Sequence, residues 1–503
     1  MFARFIGFFY RIPLTFLIGD EGNALYSVGF QFYLFLLVLS SAGLPNAISK
    51  MVSERVARGQ YRNAHRVFRA SMAVAIGFGT MGSVLLWTMA GYFAVWFGYP
   101  GSVYAIRAIA PAVVIVAVMA VYRGYFQGMN NAVPTALSQV IEQFFNAVFK
   151  VWLAFIFIGR LEYAAAGAAA GTGIGAALGL LTLMGIYRLL SRKIRFRMFR
   201  DNTSGAEDPG ALIKEVLVTA LPIVLGAAIY TIAGFVDLAM VSHRMAASGY
   251  FTQSEIDALY GQFSGKFIVL TTLPVAVSTA LSIAILPSIA GSTVIRDKSA
   301  VAEKIGEAMR ISFLISVPAA VGLTVMARPI LLLLFPSHPE GAVLLQVGAV
   351  SVILLSVVQV ATGALQGIGK ITVPVIGAAA GLLVKIPLNY FLIARPEINV
   401  IGAVISTIAC YLVAACINLV ILKKSTGFIF GLGGFLKPLF AALAMGVACY
   451  VGYDVVMFFG NNAVATLFAM AFGGAVYFIM LLMLGGVRRR DLMRIPILKR
   501  MNL

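Results

Sequence analysis

The chain has 503 residues, of which 61% are hydrophobic and only 11% charged, with a net charge of +19 and a mean hydropathy of +0.95. A soluble domain is excluded, because stretches of about 20 apolar residues, each long enough to span a bilayer, recur from end to end. Nucleic-acid binding is excluded by where the basic residues fall: they concentrate in alternate loops, which is the pattern that orients membrane helices.

About fourteen membrane spans are expected, near 2–18, 27–51, 70–97, 103–127, 134–159, 164–190, 214–242, 262–291, 305–335, 341–366, 371–393, 400–422, 435–458 and 463–486. The basic groups Arg55 to Arg69, Arg192 to Arg200, Arg296 to Lys304 and Arg488 to Arg500 all fall on one side of this topology. Positive charge marks the cytoplasmic side, so both termini are expected inside. The first span is short, and Gly7 and Pro13 weaken it as a helix, so it reads as a broken helix facing protein or as the product of a late start.

The segment 191–213 is polar and carries Asn-Thr-Ser-Gly and Asp-Pro-Gly, the composition of a solvated joint. It separates two halves that repeat one another. Gly124, Gln127, Gly128 and Pro134 return as Gly363, Gln366, Gly367 and Pro374, and Leu44-Pro45 returns as Leu286-Pro287, each about 240 residues on. An offset of six spans keeps the orientation, so the repeats are parallel. The expected fold is an all-α polytopic membrane protein with two six-helix lobes, 1–190 and 214–423. Two extra helices in 424–487 and a basic tail, 488–503, follow.

Charges inside apolar runs cost roughly 2.5–3.5 kcal/mol each on insertion scales, so they point to a wet or protein-lined interior. Arg4, Arg11, Lys50, Arg123, Lys150, Lys266 and Lys385 are the cations; Glu142 and Asp237 are the clear acids. A cavity lined mainly by cations suits an anion. Arg123 and Arg328 read as anchors at helix ends, whereas Lys50 and Lys266 could also snorkel to an interface. Glu142 and Lys150 lie on span five, where they would neutralise one another or a charge on span one. The cysteines and histidines show no ligand spacing, and no Gly-x-x-x-x-Gly-Lys-Ser/Thr loop occurs, so neither metal, cofactor nor ATP hydrolysis is expected. A membrane-embedded transferase would need an Asp-Asp or Asp-x-Asp cluster, which is lacking, so the chain is not read as an enzyme.

Three stretches carry a family resemblance: Arg4-Phe-Ile-Gly-Phe-Phe-Tyr-Arg11 with Gly19-Asp20-Glu21-Gly22, Ser41-Ala-Gly-Leu-Pro-Asn-Ala-Ile-Ser-Lys50, and Tyr122-Arg-Gly-Tyr-Phe-Gln-Gly128 with Pro134-Thr-Ala-Leu-Ser-Gln. They resemble the stage V sporulation protein B group of the multidrug/oligosaccharidyl-lipid/polysaccharide flippase superfamily, which includes lipid II flippases. The resemblance implies a bacterial plasma-membrane flippase for a polyprenyl-pyrophosphate-linked saccharide, lipid II being the best fit, with a lipid-facing groove on the two extra helices. Another lipid-linked polysaccharide unit and a cation-coupled multidrug exporter are the alternatives. Membrane lipids and cell-wall synthesis enzymes are the implied partners.

The resemblance also assigns site residues. Arg4 and Arg11 match an arginine pair on span one, Lys50 stands where span two has an arginine, and Lys266 lies about one turn from such a position on span eight. Lysine cannot grip phosphate bidentately, so the two replacements matter. Family members bind sodium through an acid on span seven, matched by Asp237, and polar residues matched by Lys385 and Asn389 on span eleven and Ser406 or Thr407 on span twelve. Lys385 departs from that pattern; its ammonium is expected to take the place of the ion and to pair with Asp237.

Overall fold

The computed structural model describes residues 10–38, 43–201, 205, 207–294, 297–429 and 431–486. Arg4 and the basic tail lie outside the described residues. The chain is all-helical in the order α1 (Arg11–Leu37), α2 (Gly43–Ala57), α3 (Tyr61–Thr88), α4 (Ala90–Trp96), α5 (Val103–Gly128), α6 (Val133–Ile156), α7 (Leu161–Phe199), α8 (Pro209–Ser248) and α9 (Gln253–Gly261). These are followed by α10 (Ile268–Val294), α11 (Lys298–Val325), α12 (Ala327–Leu334), α13 (Ala342–Gly348), α14 (Val350–Gly367), α15 (Thr372–Leu392), α16 (Ile401–Thr426), α17 (Leu432–Phe459) and α18 (Asn462–Met483).

Among the described residues, ten helices are long and apolar enough to cross a membrane. Their outer faces carry large apolar side chains, such as Trp87, Leu383, Val447 and Phe458, at half exposure or more. Such a surface is tolerable only in contact with lipid. Spans one, two, five and seven of the expected fourteen are not among the ten. Span five is α6, whose buried face carries Ser138, Glu142, Asn146 and Lys150 at intervals of one turn; that stripe dilutes its hydropathy. Among the described residues, span one is the first arm of α1. At Gly19, with φ 63° and ψ −169°, the helix reverses. Only glycine adopts this conformation at low cost.

The chain divides into two compact units, Met1–Gly265 with Ala394–Pro396, and Lys266–Ile393 with Glu397–Leu503. This division differs from the lobes expected around the 191–213 joint. In the first unit α8 packs against α2 and α3, which holds span seven with the helices before it. The basic cluster 192–197 is part of α7 rather than a loop. The joint beyond it is tied down: Asp201 accepts from the Arg62 amide at 2.8 Å, and Arg55 grips Glu207 at 2.8 Å and Glu215 at 2.9 Å.

The internal repeat is visible as one helix crossing made twice. In the first unit, a Cβ at Gly124 would stand 2.8 Å from the Pro45 carbonyl oxygen, and one at Gly128 2.7 Å from Val52 Cβ. In the second unit, a Cβ at Gly363 would stand 2.5 Å from the Ser282 carbonyl oxygen, and one at Gly367 2.9 Å from Ile289 Cγ2. Small residues four apart let two backbones touch where lipid offers no hydrophobic drive to pack them. Gly363→Val is therefore expected to cost roughly 1–3 kcal/mol or more by overpacking, read as a fall in melting temperature of the detergent-solubilised protein. An unchanged melting temperature would show that the crossing can open without penalty.

Candidate anion site

The reversal at Gly19 folds the first arm of α1 back along the second. Asn23 Nδ2 donates to Thr15 Oγ1 across the bend at 2.8 Å. Tyr10 and Arg11 are thereby brought beside Tyr26 and Phe30, which would lie far along a straight helix. The Arg11 guanidinium stands over the Tyr26 ring at 5.6 Å and the Phe30 ring at 5.9 Å.

The second cation comes from α6. Lys150 is 1% exposed, and its Nζ donates to Tyr26 Oη at 2.7 Å and to Tyr10 Oη at 3.1 Å. The ammonium also stands over the rings of Tyr10, Tyr26 and Phe30 at 4.4, 5.1 and 5.1 Å. Lys150 reaches this cage because α7 offers it no side chain to collide with. A Cβ at Gly171 would stand 2.5 Å from the Lys150 backbone nitrogen and 2.9 Å from its Cγ, and one at Gly175 2.7 Å from Asn146 Cβ.

Two cations therefore share the faces of Tyr26 and Phe30. Arg11 Nη1 is buried and makes no hydrogen bond. Cation–π contacts supply about 2 kcal/mol when desolvated, whereas burying each ion costs several kcal/mol. The aromatic cage offsets only part of that cost, and an anion would offset the rest. Tyr26 lies seven residues past Gly19, roughly 10 Å down the helix.

The acid on the same helix is taken by another cation. Glu142 pairs with Arg123 at 2.7 Å, with side chains 12% and 15% exposed, and Arg123 Nε also donates to Ser138 Oγ at 3.2 Å. One expectation is corrected here. Arg123 is not an end anchor but half of a buried ion pair, and it is the direct partner of Glu142. The local hydropathy of span four hides this, because the partner sits on the next helix.

The other candidate residues fall elsewhere. Lys50 points out on α2, 67% exposed, in a 4.0 Å pair with Glu54. Lys266 belongs to the second unit; it is 1% exposed, and its Nζ donates to the carbonyls of His338 at 2.6 Å and Glu340 at 3.1 Å. That geometry ties the loop around 338–340 to Lys266. Asp237 is buried on α8 of the first unit. In the second unit Lys385, Asn389, Ser406 and Thr407 are all buried. Lys385 Nζ donates to Thr407 Oγ1 at 3.0 Å, and the Ser406 hydroxyl lies against Asn389 Oδ1.

The model of the polysaccharide biosynthesis protein family matches residues 1–293, more than half of the chain and all of the anion site. The chain belongs to this family. A second family model, MatE, matches residues 222–391. Among curated relatives of this polysaccharide biosynthesis family member, lipid II flippase MurJ of Bacillus subtilis is 27% identical, covering 94% of this chain and 91% of its own length. Stage V sporulation protein B of the same organism is 26% identical, covering 100% and 96%. Among solved structures, a multidrug resistance MATE family transporter in an inward-facing conformation superposes with a TM-score of 0.72 at 17% identity, over 84% of this chain and 94% of that one. Lipid II flippase MurJ in an inward closed conformation superposes with a TM-score of 0.70 at 17% identity, over 98% of both chains. The two solved structures are those of a transporter and a flippase, and this chain shares their fold.

Proposed function

We propose that this protein is a flippase that moves a polyprenyl-pyrophosphate-linked saccharide, lipid II being the best fit, from the inner to the outer leaflet of a bacterial plasma membrane. The observation that carries the reading is the pairing of Arg11 and Lys150 in one aromatic cage, with Glu142 already consumed by Arg123. The substrate headgroup is polar and anionic at its pyrophosphate, so it cannot cross hydrocarbon unaided. Buried cations offset its desolvation, and alternating access exposes them to one leaflet and then the other. An inside-negative potential favours outward passage: about two negative charges across 100 mV gain roughly 4–5 kcal/mol. The lipid II flippase among the full-length relatives supports this substrate.

A multidrug exporter fits less well, because a cationic drug would need free carboxylate in place of this cage. A different lipid-linked polysaccharide unit keeps the same pyrophosphate chemistry and is the second reading, supported by the polysaccharide family match. Expression in cells depleted of their lipid II flippase separates the two: growth and outward lipid II should return with the wild type and not with Arg11→Ala. Good expression without return of outward lipid II would remove the lipid II assignment and leave the second reading.

The Lys385 cluster bears on energy coupling. Its ammonium takes the Thr407 oxygen that a coordinated cation would use, so this lysine acts as a tethered cation. Wild-type protein is then expected to melt at the same temperature in sodium chloride and in choline chloride of equal ionic strength, while Lys385→Ala gains a sodium-dependent rise. A sodium-dependent rise in the wild type contradicts the tethered-cation reading.

A further inference from the structure

A groove of about 750 Å³ runs along the first unit between the first arm of α1 and α6. Its walls are Phe16 and Leu17 on one side and Phe144, Val148 and Trp152 on the other, with Tyr10 at its inner edge. Phe16, Phe144, Val148 and Trp152 are 47–58% exposed. Apart from the indole N–H of Trp152 these side chains are apolar, and among the described residues they lead to the Tyr10 hydroxyl.

Tyr10 belongs to two surfaces. Its ring borders the groove, and its hydroxyl accepts from the ammonium of Lys150 at 3.1 Å. A hydrocarbon slot thus ends, one ring away, at two buried cations, one of which has an unused buried N–H. An ordinary phospholipid filling this slot would satisfy the apolar walls but bring a single phosphodiester charge toward two cations. A chain that ends in pyrophosphate brings negative charge for both.

We infer that the groove between α1 and α6 holds the isoprenoid chain of a lipid pyrophosphate whose phosphate end is held by Arg11 and Lys150. The inference rests on the anion-site reading above and adds where the chain lies. It places the chain beside span one, not on the two C-terminal helices where the family resemblance puts a lipid groove.

The test uses the full-length protein in nanodiscs and two probes, undecaprenyl pyrophosphate and inorganic pyrophosphate. Val148→Trp fills the groove from a lipid-facing position, so folding is not at risk; Val148→Phe fills it less. The tryptophan variant is expected to weaken undecaprenyl pyrophosphate binding about tenfold, with a smaller loss for phenylalanine and inorganic pyrophosphate within about twofold of wild type. Arg11→Ala is expected to weaken both probes, and Val447→Trp, on the lipid face of α17, neither. If Val148→Trp binds the lipid like wild type while Arg11→Ala does not, the groove assignment is overturned and the anion site stands. The groove assignment is equally overturned if Val447→Trp weakens lipid binding in its place, or if phosphatidylglycerol displaces undecaprenyl pyrophosphate from wild type at equal concentration. If Arg11→Ala changes neither probe, the anion site falls, and the groove assignment with it.

Discussion

Replacing Lys150 with methionine is expected to leave the protein folded and to lower lipid II transport about tenfold to a hundredfold. The two halves of this prediction have different causes. Methionine keeps the length and fills the cage among Tyr10, Tyr26 and Phe30, but leaves two tyrosine hydroxyls without their donor. Each buried orphan costs about 1–3 kcal/mol, while relief of a buried ammonium returns several. The melting temperature is therefore expected to stay within a few degrees of wild type. Transport falls because a charge-assisted hydrogen bond to phosphate, about 1.5–3 kcal/mol, is lost from the bound headgroup. Measured together, the melting curve and the flipping rate separate the roles. A stable variant that transports at the wild-type rate would make Lys150 a packing residue only.

Glu142→Gln is expected to do the opposite. It leaves Arg123 buried at 15% side-chain exposure without its carboxylate, and stranding one partner of a buried pair costs about 3–5 kcal/mol. The double variant Arg123→Met/Glu142→Leu removes both charges and is expected to recover most of that loss. The pair of measurements matters more than either alone, since additive losses in the double variant would show that the two side chains are not coupled. The stripe Ser138, Glu142, Asn146 and Lys150 on α6 thus carries two kinds of charge. Glu142 and Arg123 fix α5 to α6, and Lys150 is left to face the arm of α1.

Much of this is legible in the sequence. Hydropathy locates the helices, and glycines about 240 residues apart announce a crossing that both units make in the same way. Arg11 stands out because a charge in mid-span has no bland explanation, and Lys385 and Asn389 share a helix face by spacing, while their grouping with Ser406 and Thr407 comes from the family resemblance. What cannot be read is what depends on a neighbouring helix. Arg123 looks like an anchor until Glu142 is seen across from it. Lys266 looks like a substrate contact until the carbonyls of His338 and Glu340 are found around its ammonium. The reversal at Gly19 falls in the polar break Gly19-Asp20-Glu21-Gly22 between the first two expected spans, so a bend there is legible, but the backbone conformation that folds one arm along the other is not. The place of Lys150 does leave a signal: the glycines at 171, 175 and 179 on α7 mark where a neighbour must approach closely, and the polar stripe of α6 has the same period.

The central claim is that Arg11 and Lys150 together bind the pyrophosphate of a lipid-linked saccharide during its passage. Its most direct test is translocation of fluorescent lipid II in liposomes containing the purified protein, scored by accessibility to an impermeant quencher under an inside-negative potential. The wild type should move lipid II faster than protein-free liposomes, and Arg11→Ala and Lys150→Met should both fall toward the protein-free rate. Wild-type rates in both variants would contradict the account.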